Sequence, residues 1–310
     1  MHKFSLDRAV GRGAAVTSVA PTGPQRVLAL CADDFGLAPA ISAGIARLAR
    51  GQRLTEVSCI TNSPHWTEDS ALLRDLPASV NVGLHLNLTD GRPLSPQLAR
   101  HWPQLPGLER LILQAHLRAL PNSALRAELH AQIAAFIDTF GAVPKFIDGH
   151  QHVHHLPGVR EIVLNLAEHV QPMAAVRSTG RVLGPGFGLK RWLIERTGGR
   201  TLERQLTRRV LSHNPALLGA YDFVDPDYRA LMQRWLVELP PQGGLLFCHP
   251  GDPAGAGSRD PIDPIAAARV RELAYLGSPE FTADLTAANV RLGTVWQLAG
   301  RQVGSSAKSP

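Results

Sequence analysis

An α/β fold with mainly parallel strands is predicted, arranged as a (β/α) barrel-like, TIM-barrel-like domain, incomplete or distorted, with helical excursions. Three observations lead there. Short continuous apolar runs recur along the chain, as buried parallel strands do. Segments of helical spacing alternate with them, the pattern of βαβ units. Several of the runs end abruptly in carboxylates or imidazoles, and in such folds the chemistry gathers where strands end. A chain of 310 residues suits one such domain with insertions.

The elements follow in order. Residues 1–25 mix small and polar types and end in Pro21-Thr22-Gly23-Pro24, so they read as a flexible N-terminal leader. A strand over 27–32 then drives into Asp33-Asp34-Phe35-Gly36, and 39–50 has apolar positions at helical spacing that stop at Gly51. A strand over 54–60, a helix over 67–76 and a strand over 80–88 come next. Residues 95–120, rich in Pro and Leu, form an excursion with some helix. An amphipathic helix over 123–140, with Asn122 as candidate cap, leads to a strand over 146–153. Helix 158–169, a short strand over 174–177, and a basic helix over 192–218 interrupted at Gly198-Gly199 follow. The series closes with helix 228–239, strand 244–249 and helices 265–276 and 281–288. Residues 26–299 thus read as a single domain and 300–310 as a disordered tail.

Composition removes several function classes. The net charge is +6, but the basic residues are scattered or mixed with Glu, and only 5% of residues are aromatic. A nucleic-acid binder would need a clustered basic face or a stacking platform, so none is expected. No apolar stretch reaches the ~20 residues of a membrane span. Cys31, Cys59 and Cys248 each sit in an apolar run and read as buried free thiols in a reducing compartment, so the cytoplasm is expected. Two-fold assemblies predominate among oligomers, which makes a homodimer the default assembly.

Four runs carry the chemistry. Asp33-Asp34 can act as metal ligand and proton acceptor, or as an N-cap pair opening the next helix. His85, between two leucines, reads as a ligand or as a hydrogen-bonded core histidine. Asp148-Gly149-His150-Gln151-His152-Val153-His154-His155 reads as a ligand cluster or a solvated loop, and His249 ends the last strand. Strand ends of a barrel share one rim, so one carboxylate and two imidazoles can meet around one divalent ion. Zn²⁺ suits these donors, and Mg²⁺ with added waters is compatible.

These residues resemble the YdjC-like carbohydrate deacetylases, which include the chito-oligosaccharide deacetylases. The resemblance rests on Ala32-Asp33-Asp34-Phe35-Gly36-Leu37, Gly83-Leu84-His85 with Asn87-Leu88-Thr89, Gly91 and Pro93, Asp148 to His154, and Cys248-His249-Pro250-Gly251. It implies a barrel-like fold and a hydrolase that removes acetyl from an N-acetylated sugar, such as an N-acetylglucosamine-containing oligosaccharide. It further implies one divalent metal ion on Asp34, His85 and His150, with Asp33 as general base and His249 as general acid. Substrate contacts are expected from Asn87, Thr89, His152 and Arg177. Relatives often carry Ser and His where this chain has Gly149 and Gln151. The competing expectation is a metal-dependent amidohydrolase or esterase acting on another acylated small molecule or a glycolipid.

Overall fold

The computed structural model describes residues 23–252 and 263–296. The tail, and all of the leader before Gly23, lie outside the described residues.

The chain runs through strand β1 (Arg26–Phe35), helix α1 (Pro39–Arg50), β2 (Glu56–Cys59), α2 (Trp66–Asp69), β3 (Asn81–Leu86), α3 (Pro96–His101) and α4 (Leu108–His116). It continues with α5 (Asn122–Phe140), β4 (Phe146–Gly149), α6 (Val159–His169), β5 (Ala175–Val176), α7 (Gly188–Ile194) and α8 (Arg200–Arg208). The last elements are β6 (Leu217–Leu218), α9 (Tyr228–Glu238), β7 (Gly244–Cys248), α10 (Ala266–Leu276), α11 (Pro279–Ala287) and β8 (Val290–Leu292). The strands lie in the order β5-β4-β3-β2-β1-β7-β6, all parallel, and curve into a half-barrel with helices packed against it. The β8 strand pairs with the beginning of β1 on the flank that β2 takes over from Cys31.

Between the outer strands, closure is made partly by a side chain. The Asn214 carboxamide accepts from the Ser178 N–H (2.7 Å) and donates to the Ser178 carbonyl (3.1 Å), standing in for a strand partner. The Val176 N–H donates to the Ser212 carbonyl at 2.9 Å.

Strand alternation sorts side chains into two layers. Leu28, Leu30 and Ala32 of β1 belong to the large apolar core that includes Ile41, Ile45 and Leu48 of α1. Ala29 and Cys31 instead face the inside of the curve with Phe146, Ala175, Leu217, Leu245 and Phe247. Gly83 is required there, because a Cβ would lie 2.5 Å from the Phe146 ring.

Several expected boundaries shift. The helix expected over 67–76 is the short α2 followed by a tight turn at Ser70–Leu73. The helix expected over 192–218 begins at Gly188, widens at Glu195–Gly199 and stops at Arg208, leaving 217–218 as β6. Gly198 and Gly199 press against the backbone of His155 and Thr179, an approach any Cβ would block. Asn122 opens α5 as its first residue and does not cap it.

The fully buried Glu56 of β2 accepts from the Asn81 side chain at 3.2 Å. Burial pushes its carboxyl up to about 8, against the lowering effect of that hydrogen bond. Its folded pKa therefore exceeds the unfolded value, so the stabilisation is complete below about pH 4.5 and is lost as pH rises through about 8. Glu56→Gln stays neutral throughout. Relative to that variant, the wild type should lose on the order of a few kcal/mol between those pH values in urea denaturation. A pH-independent difference would contradict this account.

Candidate active site

The site begins with a break in the alternation of β1. The register between β1 and β2 slips between Ala32 and Phe35, and Asp34 takes a left-handed φ of 70°. A regular strand would send Asp33 inward and Asp34 outward to the helices. The bulge turns the second carboxylate back, so both enter the rim. They are buried at 2% and 1% exposure, and they lie within β1 rather than capping α1, whose cap position is Ala38.

From the end of β3 comes His85, and from the end of β4 comes His150. The strand expected over 146–153 stops at Gly149, because a tight helical turn, His150–His155, follows with left-handed Gln151 and His152. That turn swings His150 towards β1. Its Nδ1 lies 2.9 Å from Asp34 Oδ1, and His85 Nε2 lies 3.5 Å from the same oxygen. One donor atom from each of Asp34, His85 and His150 lies within 4.8 Å of the other two. One oxygen and two ring nitrogens at that spacing fit a divalent cation with open positions. The second Asp34 oxygen accepts from Arg269 at 2.8 Å, and Arg269 also pairs with Asp263 at 2.6 Å.

Beneath the triad, Asp148 Oδ1 sits 2.6 Å from His85 Nδ1 and accepts from the Ser58 hydroxyl at 2.5 Å. This is the carboxylate–histidine pairing that fixes the orientation of a metal-ligating ring. Burial alone would lower the His85 pKa, but the charges of Asp148 and Asp33 override it and raise it to about 10. A cation bound there must displace that proton. Asp148 in turn falls to about 2, since Arg177 and His85 outweigh its burial.

Arg177, expected among the substrate contacts, lies beneath Asp33. It is fully buried, and two of its nitrogens hold Asp33 in a fork of 2.6 and 2.7 Å. It also contacts Asp148 at 2.5 Å and Cys31 Sγ at 3.0 Å. The guanidinium fixes Asp33, and its Nε is buried without a partner. Its cation also fills the space between Cys31, Asp33 and Asp148, a second group of donors close enough for an ion. Asn87 is likewise committed elsewhere. Its amide donates to Asn62 and to the Asp90 carbonyl, and its oxygen accepts from the N–H groups of Thr89 and Asp90, which builds the turn after β3. Thr89 is half-buried with an unpartnered hydroxyl.

At the end of β7, His249 lies with its ring edge-on to Phe223 and Phe247, centroids 5.2 and 5.7 Å away. Its backbone N–H donates to Glu272, which also accepts from Tyr221. Burial lowers its pKa to about 4 although Asp34 and Asp33 pull the other way, so it rests neutral. His152 packs against the other side of this aromatic wall, 5.1 Å from Phe247. The Nδ1 atoms of His152 and His249 are both buried without a partner.

Sequence reasoning passed over Ser58, Asp148 as an orienting carboxylate, Arg269 and Glu272. Asp148 carried a signal, lying one residue before the end of β4. Arg269 and Glu272 lie on α10, where nothing in the helical pattern marks them.

Comparison with known proteins adds to this geometry. A family profile described as YdjC-like protein matches residues 27–287. A carbohydrate deacetylase of Mus musculus is 31% identical over 312 residues, covering 91% of this chain and 97% of that protein. A chitooligosaccharide deacetylase of Salmonella typhimurium is 35% identical over 150 residues, 46% of this chain and 56% of that protein. A putative cellobiose-phosphate cleavage protein of Enterococcus faecalis has a solved structure with TM-score 0.65 at 20% identity, covering 87% of this chain and 98% of that one, which is a likeness of fold.

His85→Ala and His150→Ala should each abolish most of the metal retained after dialysis, as read by elemental analysis. Asp148→Asn should weaken metal affinity by about 10–100-fold while leaving the ligands in place. Wild-type occupancy in the two alanine variants would remove those imidazoles from any metal site.

Proposed function

The chain belongs to the YdjC-like protein family, and from that premise we propose that it is a metal-dependent hydrolase removing the acetyl group of an N-acetylated sugar. The carbohydrate and chitooligosaccharide deacetylases among its relatives suggest the acyl group and the sugar class. The observation that carries the reading is the meeting of Asp34, His85 and His150 from three strand ends, with Asp33 beside them.

A divalent ion, Zn²⁺ or Mg²⁺, held by these three residues would polarise the amide carbonyl and acidify a water molecule. Asp33 is the general base. Arg177 donates one hydrogen bond to each Asp33 oxygen, and the Cys31 thiol also donates to Oδ1 at 3.5 Å, which leaves a lone pair on Oδ2 for the proton of the attacking water. The fork also fixes the carboxylate in one orientation, so little reorganisation accompanies the transfer. His249 hands a proton to the departing nitrogen, because an amine anion cannot leave. Since His249 rests neutral, it must take up a proton, equivalent to the one Asp33 removes from the water, before the nitrogen can depart. Phe223 and Phe247 hold its ring in place of a hydrogen bond to Nδ1. His152, with its free Nδ1, and Thr89, with its free hydroxyl, are the groups left to meet the sugar.

We place the protein in the cytoplasm, on the strength of three buried free cysteines. Among the described residues no helix is long and apolar enough to cross a membrane.

Acetate release from N-acetylglucosamine oligomers, set beside release from O-acyl and longer N-acyl substrates, tests the activity. Asp33→Asn should keep its metal and lose turnover by about 10²–10⁴-fold, and His249→Ala should lose a similar factor. Loss of metal from Asp33→Asn would show the two aspartates in exchanged roles. Turnover of O-acyl substrates alone would replace the amide with an ester.

A further inference from the structure

A second surface lies outside the site. The outward stripe of α7 and α8 reads Leu189, Trp192, Leu193, Arg196, Arg200, Arg204 and Arg208, at steps of one to four residues. Leu189, Trp192 and Leu193 are 72, 50 and 45% exposed, while Ile194, Leu202 and Leu206 hold the opposite face in the core. The Arg196 guanidinium lies 5.6 Å above the Trp192 ring. Lys190, also on α7, donates to the Tyr221 carbonyl at 2.6 Å and sits 4.4 Å from the centre of the Phe223 ring. Phe223 is the ring packed on His249, and its neighbour Val224 is 75% exposed. The apolar end of the stripe is therefore continuous with the wall of the active site.

We propose that this stripe docks the protein on an anionic lipid surface, with Leu189, Trp192 and Leu193 entering the interface and the arginines lying over the headgroups. Exposed Trp and Leu beside a basic row are the features that hold a helix flat in a bilayer interface. Charge decides between this occupant and a second copy of the chain. A two-fold contact covering the stripe would gather the arginines of both copies into one interface with few acidic side chains to answer them. Of the acidic side chains between Gly188 and Arg208, Glu195 answers Arg200 at 2.6 Å and Glu203 is half-buried, while Arg196, Arg204 and Arg208 make no ion pair among the described residues.

Co-sedimentation of the full chain with vesicles tests this. Vesicles of equal parts phosphatidylglycerol and phosphatidylcholine should retain the wild type, and pure phosphatidylcholine should not. Retention should fall with added salt. Trp192→Ser with Leu193→Ser, and separately Arg196→Ser with Arg204→Ser, should each weaken binding by about tenfold or more. Both variants should keep the wild-type circular dichroism and acetate release from soluble substrate. No retention by the anionic vesicles, or equal retention of the variants, would overturn the proposal. So would a wild-type dimer that Trp192→Ser dissociates without any vesicle binding, since a second copy would then cover the face. Vesicle binding needs no substrate, so its failure leaves the deacetylase reading standing, and the reverse holds too.

Discussion

A guanidinium sealed inside the half-barrel holds the charged interior together. Arg177 neutralises Asp33 and Asp148 at once, and Asp148 orients His85. Carboxylates so far from water would otherwise take up protons, because an unpaired buried charge is far more unfavourable than a neutral acid. Replacing the cation would leave Asp33 buried with no cation in contact and Asp148 with His85 alone, the situation in which loss of one partner is most destabilising. Arg269 plays the matching part for Asp34 from the opposite side, reaching in from α10. The site is thus a layered arrangement of charge: Arg177 lowest, Asp33 and Asp148 on it, His85 above, and Asp34 with His150 at the rim.

That arrangement depends on one irregular residue. With regular pleating, Asp33 and Asp34 would face opposite sides of the sheet and only one could meet the histidines. The left-handed conformation at Asp34, together with the slipped register against β2, brings both to the same side. Strain of this kind, on the order of 1–3 kcal/mol, persists where surrounding contacts over-determine it. Here they do: Asp34 is held by His150, His85 and Arg269, and the Gly36 N–H that follows donates to Ser42 of α1. The left-handed pair Gln151 and His152 repeats the device at the end of β4, where it redirects the chain after His150.

The segment from 178 to 225 joins the site to the outer surface. Gly198 and Gly199 let the helical turn close on His155 and Thr179, so α7 and α8 are pinned against the histidine-rich turn. His155 bonds the hydroxyls of Thr179 and Thr197 on either side of that contact. The inner face of the pair is thereby committed to the core, and its apolar and cationic outer face is left to solvent.

The amino-acid order determined the class of fold and the residues that could carry chemistry. Apolar runs such as 27–32 and 244–248 mark buried strands because their period and length leave little else, and each run hands its polar residue to the rim. Those polar residues were therefore visible one by one: Asp33-Asp34, His85, His150, His249. Their division of labour was not. Which aspartate faces the histidines is settled by a backbone turn at Asp34 that the pairing of β1 with β2 imposes, and no local pattern encodes it. Arg177, the last residue of the short strand expected over 174–177, was expected among the substrate contacts. Only the packing of β5 beside β4 shows it buried beneath Asp33 and Asp148. Arg269 and Glu272 escaped notice for the same reason, since a charged residue on an amphipathic helix reads as solvated until the tertiary contacts bury it. Hydrophobic periodicity records which face of an element is inside; it carries no record of which charges, a hundred positions apart, will share that interior.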